Sequence, residues 1–281
     1  MKPAPYQFER PRTLDAACAL LAEAERSGAH VKIMAGGQSL GPLLNLRLAE
    51  PDLVIDISAI RELAVADRAG DDLVLGACVT HADIEDGRVP DVTRGAMQRV
   101  AGGIAYRAVR NRGTVGGSLS HADPAADWLS ALTALDARLV LQGPDGTRTL
   151  PLSDFVVGAL ETALLPAEMV AAVRVPLLAP SARWGYAKAC RKTGEFAHAI
   201  GAVLVDPQAR TARVVIGALD ARPLLLADAS GLFGGRITSE FAAQFDPAAA
   251  DALLAEAGVA DPVRRHFHVT VLGRAVREAA Q

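Results

Sequence analysis

The sequence predicts an α+β chain in three parts, and three observations carry that prediction. Short apolar, strand-like runs are interleaved with amphipathic helical segments up to Pro176. Beyond Pro176 three strand runs come first and helices fill the remainder, the order of an α+β unit. Two glycine-rich turns, Ala35-Gly36-Gly37-Gln38-Ser39-Leu40 and Thr114-Val115-Gly116-Gly117-Ser118, divide the N-terminal region into two segments. Each joins glycines to small hydroxyl residues. Glycine admits close approach of backbone N–H groups to a ligand, and successive N–H groups form a concavity that favours anions. Two such turns far apart in sequence imply a long ligand held along its length.

The elements follow in order. Thr13 is placed to cap a helix that carries Leu14, Ala17, Leu20 and Leu21 and ends near Ser27-Gly28. A strand at 31–34 leads into the first glycine turn, and further strands are expected at 53–57 and 73–76. Thr80-His81-Ala82-Asp83 reads as a cap and helix start, and helical pattern recurs over 93–101 and 127–135, with Asp127 as a candidate N-cap. Runs 138–142 and 147–150 flank Gly143-Pro144-Asp145-Gly146, a hairpin signal. A strand over 169–175 stops at Pro176, and 177–181 reads as a linker. Strands at 183–189, 199–205 and 212–217 follow, the last two joined by Asp206-Pro207-Gln208-Ala209. The tail is helical, with Thr238 and Asp261 as caps and Pro262 at a first helical position.

Composition narrows the function. The 281 residues are 51% hydrophobic, enough for a large core and more than one folding unit. A net charge of -3 without a dense Lys/Arg run argues against a nucleic-acid surface. The apolar tract from Val156 to Leu178 is broken by Glu161, Pro166, Glu168 and Arg174, so no membrane helix is expected. Met1 to Glu9 has no apolar core of a secretory signal. Cys18, Cys78 and Cys190 lack paired spacing, which fits a reducing compartment, excludes a four-cysteine cluster site and reads as three small buried hydrophobes. A cytoplasmic location is the expectation.

Neither turn is a known nucleotide loop by pattern. Pro42 stands where a P-loop needs lysine, and no G-x-G-x-x-G follows a strand. Ala35 to Leu40 followed by Asn45-Leu46-Arg47-Leu48 resembles, however, the first FAD signature of the FAD-binding medium subunits of molybdenum hydroxylases. Arg110-Asn111-Arg112-Gly113-Thr114-Val115-Gly116-Gly117, continuing to Ala122-Asp123-Pro124-Ala125-Ala126-Asp127, resembles the second. Tyr186-Ala187-Lys188 with Arg191 to Ala197 is similar to that family's C-terminal motif. The resemblance implies a two-subdomain FAD-binding domain of the vanillyl-alcohol-oxidase/PCMH type, residues 1–57 and 58–176. A C-terminal α+β domain with a small antiparallel sheet, residues 177–281, completes it.

The same resemblance implies the site. Ile33, Met34, Ala35, Gly36, Gly37, Gln38, Ser39 and Leu40 would hold the diphosphate and adjoining parts of FAD. Thr114, Val115, Gly116, Gly117 and Ser118 would contact the diphosphate and ribityl chain, with His121 and Asp123 close by. Asp127 would bond a flavin-side hydroxyl, Ile104 would lie against the isoalloxazine, Leu164 or Leu165 near the adenine, and Lys188 near the flavin. The partners implied are a small subunit with two [2Fe-2S] clusters and a large molybdenum-cofactor subunit, in a dimer of heterotrimers. Substrate would be oxidised on the large subunit, and electrons would leave to NAD, oxygen, a quinone or another carrier. Gln38 and Asn45 replace the histidine and lysine of carbon monoxide dehydrogenase medium subunits, which favours relatives acting on N-heterocycles, aldehydes or acyl-CoA.

The other signals read as structure. His266-Phe267-His268 lies in helical pattern and is taken as surface, and Arg110 and Arg112 are taken as surface or interface residues rather than catalysts. No G-x-S-x-G elbow is present. The alternatives are a stand-alone FAD oxidase or dehydrogenase with its own substrate pocket, and a binding module without flavin.

Overall fold

The three strands of the first unit are parallel. A computed structural model describes residues 2–281. In it β1 (Gln7–Glu9), β2 (Val31–Met34) and β3 (Leu53–Asp56) form a sheet of order β1-β3-β2. Helix α1 (Leu14–Ser27) connects the first two strands, and α2 (Leu40–Asn45) lies between the second and third. Thr13 Oγ1 accepts from the Ala16 N–H, and Gly28, at φ 70, ends α1. The α1 stripe Ala17, Leu21 and Ala24 packs with Leu53, Ile55 and Ile57. β3, the middle strand, is buried along its whole length.

The second unit is an antiparallel sheet threaded by helices. β4 (Ala66–Ala69) and β5 (Asp72–Gly76) precede five helices: α3 (His81–Glu85), α4 (Ala96–Gly103), α5 (Arg107–Arg110), α6 (Val115–His121) and α7 (Asp127–Ala134). The hairpin β6 (Arg138–Gly143) and β7 (Gly146–Pro151) follows, then α8 (Leu152–Phe155) and the small hairpin β8 (Val156–Gly158) with β9 (Glu161–Thr162). β10 (Met169–Pro176) returns to the centre, giving the order β4-β5-β10-β6-β7. Its register shifts between Val170 and Ala172, and the carbonyl of Ala171 accepts from the Ala77 N–H instead.

In the C-terminal part β11 (Arg183–Ala189), β12 (Ala199–Asp206), β13 (Thr211–Gly217) and β14 (Leu224–Leu226) form an antiparallel sheet in sequence order. Two helices close the chain, α9 (Pro247–Glu256) and α10 (Pro262–Ala279). α10 covers β11 and β12, while α7 packs against β12 and β13. All eight residues of α7 are buried, because it lies between the C-terminal sheet and the core built on β6 and β10. Three main apolar clusters follow the three sheets.

Several expectations need correction. The helix expected over 93–101 starts at Ala96, because Asp91 accepts from the N–H groups of Thr93 and Gly95 and holds a turn there. Thr238 Oγ1 accepts from the Glu240 N–H ahead of a short 3-10 turn and caps no α-helix, while Asp246 caps α9. Asp127 is the first residue of α7, not its N-cap, since its carboxylate is engaged elsewhere. The stretch 177–181 is no loose linker: Leu177 and Leu178 donate to Asp71 and Val92 carbonyls, and Arg94 holds the carbonyls of Pro180 and Ala182. His268 is fully buried while His266 is exposed. Cys78 is buried, but Cys18 and Cys190 are only half-buried. β1, β4 and α2 lacked a periodic signal; Gln7-Phe8-Glu9 is exposed throughout and is a strand only by pairing with β3.

Candidate functional site

A cleft of about 1010 Å³ runs between the end of β2 and the helices α5 to α7. The first glycine turn forms one wall. A Cβ on Gly36 would lie 1.9 Å from the carbonyl oxygen of Arg112, so this turn packs directly on the backbone that leads into α6. Gly37 has φ 69, a conformation that glycine adopts without strain. The carbonyls of Gly37 and Ser39 accept from Gly41 and Leu43 in α2, and Gln38 Nε2 donates to the Gly36 carbonyl. The N–H groups of Gly36, Gly37, Gln38 and Ser39 have no acceptor among the described residues. A row of four unspent backbone donors on cleft-lining residues is the kind of uncharged arrangement that favours anions.

The second turn is built differently. It is the first turn of α6, capped by Thr114, whose Oγ1 accepts from the Gly117 N–H at 3.1 Å. The N–H groups of Val115, Gly116 and Ser118 go to the carbonyls of Val79, Ala77 and Thr114. The backbone donors expected to hold a ligand there are therefore used inside the protein. The hydroxyl-bearing residues Ser118 and Ser120 line the cleft instead, and neither hydroxyl has a protein partner among the described residues. Gly116 is small for packing, since its Cβ would lie 2.5 Å from that of Ala77. A Cβ on Gly117 would lie 3.7 Å from the Ala35 Cβ, so the two turns touch.

Seventeen of the twenty expected site residues line the cleft: Ile33 through Leu40, Ile104, Thr114, Gly116, Gly117, Ser118, His121, Asp123, Asp127 and Leu164. Three do not. Val115 is fully buried in the core. Leu165 points outward and is 58% exposed, because Arg148 and Glu168 pair and Glu168 accepts from the Leu165 N–H, which turns Leu164 inward. Lys188 stands behind the wall, with Nζ 2.8 Å from Asp127 Oδ1 and 2.7 Å from the Gly103 carbonyl. The same Asp127 oxygen accepts from the Tyr186 hydroxyl at 2.7 Å. Burial first, and Asp127 second, push the Tyr186 phenol well above its ordinary value, so it stays a donor.

Sequence reasoning missed three features of the wall. His81 lines the cleft while only 5% exposed. Its Nδ1 accepts from the Trp128 indole at 3.0 Å, which assigns the proton to Nε2. Burial, with Arg110 beside it, pushes this imidazole down to about 4, so it is neutral at physiological pH. Arg110, expected at the surface or an interface, is largely buried within the chain: its side chain is 12% exposed and grips Glu85 with two nitrogens. Those bonds hold the Glu85 carboxyl below the usual carboxylate range. Ser120 lies inside the second signature, which gave it no role of its own. Nothing local assigns these side chains to the wall; only the adjacency of α3, α5 and α6 does.

Among the described residues no group of three or more His, Cys, Asp or Glu side chains is placed to hold a metal ion, and no helix is long and apolar enough to cross a membrane. The arrangement defines a class: a long-ligand binding protein whose cleft, between a parallel and an antiparallel sheet, offers backbone donors for an anionic centre and apolar residues for its ends. Residues 4–178 match the model of the FAD binding domain in molybdopterin dehydrogenase. The chain is 34% identical over 285 residues to the carbon monoxide dehydrogenase medium chain of Hydrogenophaga pseudoflava, covering 99% of this chain and 97% of that one. It is 35% identical to the nicotine 6-hydroxylase medium subunit of Paenarthrobacter nicotinovorans, over 84% and 82% of the two chains. The solved quinoline 2-oxidoreductase of Pseudomonas putida 86 superposes with a TM-score of 0.86 at 29% identity, over 100% and 99%. The chain belongs to this family of FAD-binding medium subunits of molybdenum hydroxylases.

Proposed function

We propose that this medium subunit holds FAD extended along the cleft and serves as the electron-transfer subunit of its complex. It would link the [2Fe-2S] clusters of a small partner subunit to an external acceptor, with substrate oxidised on a large molybdenum subunit. The observation that carries the reading is the row of unspent N–H donors on Gly36 to Ser39 in the middle of the cleft. Neutral donors of this kind bind a diphosphate with no lysine or arginine in the turn. In this reading Ser118 and Ser120 bond the ribityl hydroxyls, Ile104 packs on the isoalloxazine and Leu164 faces the adenine; all four line the cleft. His81, neutral and with its Nε2 proton unspent, adds a donor that does not change charge across physiological pH. Bound there, FAD supplies the redox chemistry, and the protein supplies binding, orientation and electrostatics.

In this reading the chain divides at residues 57 and 176, with FAD between the first two units. The complex is a dimer of heterotrimers in the cytoplasm, and its substrate is an N-heterocycle, an aldehyde, an acyl-CoA or carbon monoxide. Identities of 34% and 35% to medium subunits of carbon monoxide and nicotine enzymes leave these classes level. The purified chain should show flavin absorption bands and release FAD on denaturation. A colourless chain that takes up no FAD on titration would overturn the reading. Reduction of the isolated flavoprotein by an organic substrate would favour a stand-alone oxidase instead.

A further inference from the structure

We propose that Lys188 and Arg110 are positioning residues that lock the segment Gly103–Ala105, so that the C-terminal sheet takes part in holding Ile104 in the cofactor cleft. The role toward the cofactor rests on the FAD reading above.

Three consecutive backbone carbonyls in this segment are held by cationic side chains. Lys188 Nζ donates to the Gly103 carbonyl at 2.7 Å. Arg110 Nη1 donates to the carbonyls of Ile104 and Ala105 at 2.9 and 3.1 Å. Each cation has a carboxylate behind it. Lys188 pairs with Asp127, their side chains 16% and 10% exposed, and Arg110 pairs with Glu85 through two bonds of 2.7 and 2.8 Å. Charge-assisted bonds in such low exposure are the strong ones.

The segment needs the restraint. It lies between the end of α4 and the start of α5, where helical bonds no longer satisfy the carbonyls. Ala105 has φ 41, a conformation that a residue with a Cβ rarely adopts, and a strained residue persists only where its surroundings over-determine it. Ile104 and Ala105 both line the cleft, and Lys188 does not. The lysine therefore acts through the segment and through Asp127. It reaches them from β11, in the part of the chain beyond Pro176. The Tyr186 hydroxyl on the same strand shares the Asp127 oxygen, which fixes the direction from which Lys188 approaches.

The test uses the full chain with Lys188→Met, Lys188→Arg and Arg110→Lys. Arg264→Ala serves as a control, since it breaks a remote ion pair with Asp220. Amide hydrogen exchange on the cofactor-free chain reads the lock directly. FAD titration, the visible circular dichroism of the bound flavin and its midpoint potential read the consequence. Lys188→Met and Arg110→Lys should speed exchange at Ile104, whose N–H donates to the Ala101 carbonyl, weaken FAD about tenfold or more, and alter the flavin dichroism and potential. Lys188→Arg should restore both, because a guanidinium can still bridge Asp127 and a carbonyl. Arg264→Ala should lower the melting temperature and leave exchange in the segment and the flavin signals unchanged. Wild-type exchange at Ile104 in both loosening variants would overturn the lock. Faster exchange with unchanged FAD affinity, dichroism and potential would overturn its role toward the cofactor. A wild-type chain that binds no FAD would overturn the proposed function, while the exchange measurement would still decide the lock.

Discussion

Gly36 and Gly37 are neighbours, and each is glycine for its own reason. Gly37 needs its positive φ of 69, whereas Gly36 needs to be small because a Cβ there would stand 1.9 Å from a backbone oxygen of the second turn. Gly36→Ala should therefore push the two turns apart, destabilise the chain by about 1–3 kcal/mol and sharply reduce bound FAD. Gly41, the second residue of α2, has open space around its Cβ position. Gly41→Ala should leave FAD content unchanged and stabilise by up to about 1 kcal/mol through helix propensity. Denaturant melts and FAD content per chain measure both. The glycine motif was legible at once in the sequence. That half of its glycines serve protein packing was not, because the neighbour of Gly36 is seventy-odd positions away and the neighbour of Gly116 is a strand-end alanine.

At the scale of elements, caps decide where helices begin. Thr80 and Asp83 form a capping box on α3, and Thr114 caps α6; the two threonines also meet in a bridge between the helix starts. Thr114→Ala removes the acceptor of the Gly117 N–H in a residue only 5% exposed. It should lower the urea midpoint by the equivalent of about 1–2 kcal/mol with an unchanged slope, and Thr114→Ser should recover most of that loss. Caps at Thr13, Thr80 and Asp261 were readable because each acts within three residues of itself. Asp127 was misread as a cap for the opposite reason. Its carboxylate finds a tyrosine and a lysine about sixty residues later, and their bonds outweigh a cap on its own helix.

At the scale of the whole molecule, two of the described histidines are buried, His81 on α3 and His268 on α10. Burial pushes His81 and His268 down from 6.5 to about 4. An unfolded chain thus takes up their protons near pH 6.5, and the folded chain resists to about pH 4. Stability is complete above pH 6.5 and falls as pH drops through that window. A thermal melt against pH should show the decline. His268 also leaves both ring nitrogens without partners inside the C-terminal core. His268→Leu should stabilise the chain by about 1–2 kcal/mol at neutral pH and flatten the acid decline. No change at pH 5 relative to pH 7 in the wild type would contradict the assignment.

Sequence alone was sufficient for most of the helices and strands and for the two signature turns, because periodicity, caps and hairpin glycines act over a few residues. It was sufficient for the family too, since the second signature is long. Tertiary structure decided the division of labour inside the site. It left the amides of one turn unspent and used those of the other, turned Leu164 in and Leu165 out, and placed Lys188 behind the wall. Each of those outcomes depends on which backbone and side-chain groups find partners across distant segments, and hydrogen bonding between distant segments leaves no local pattern to read.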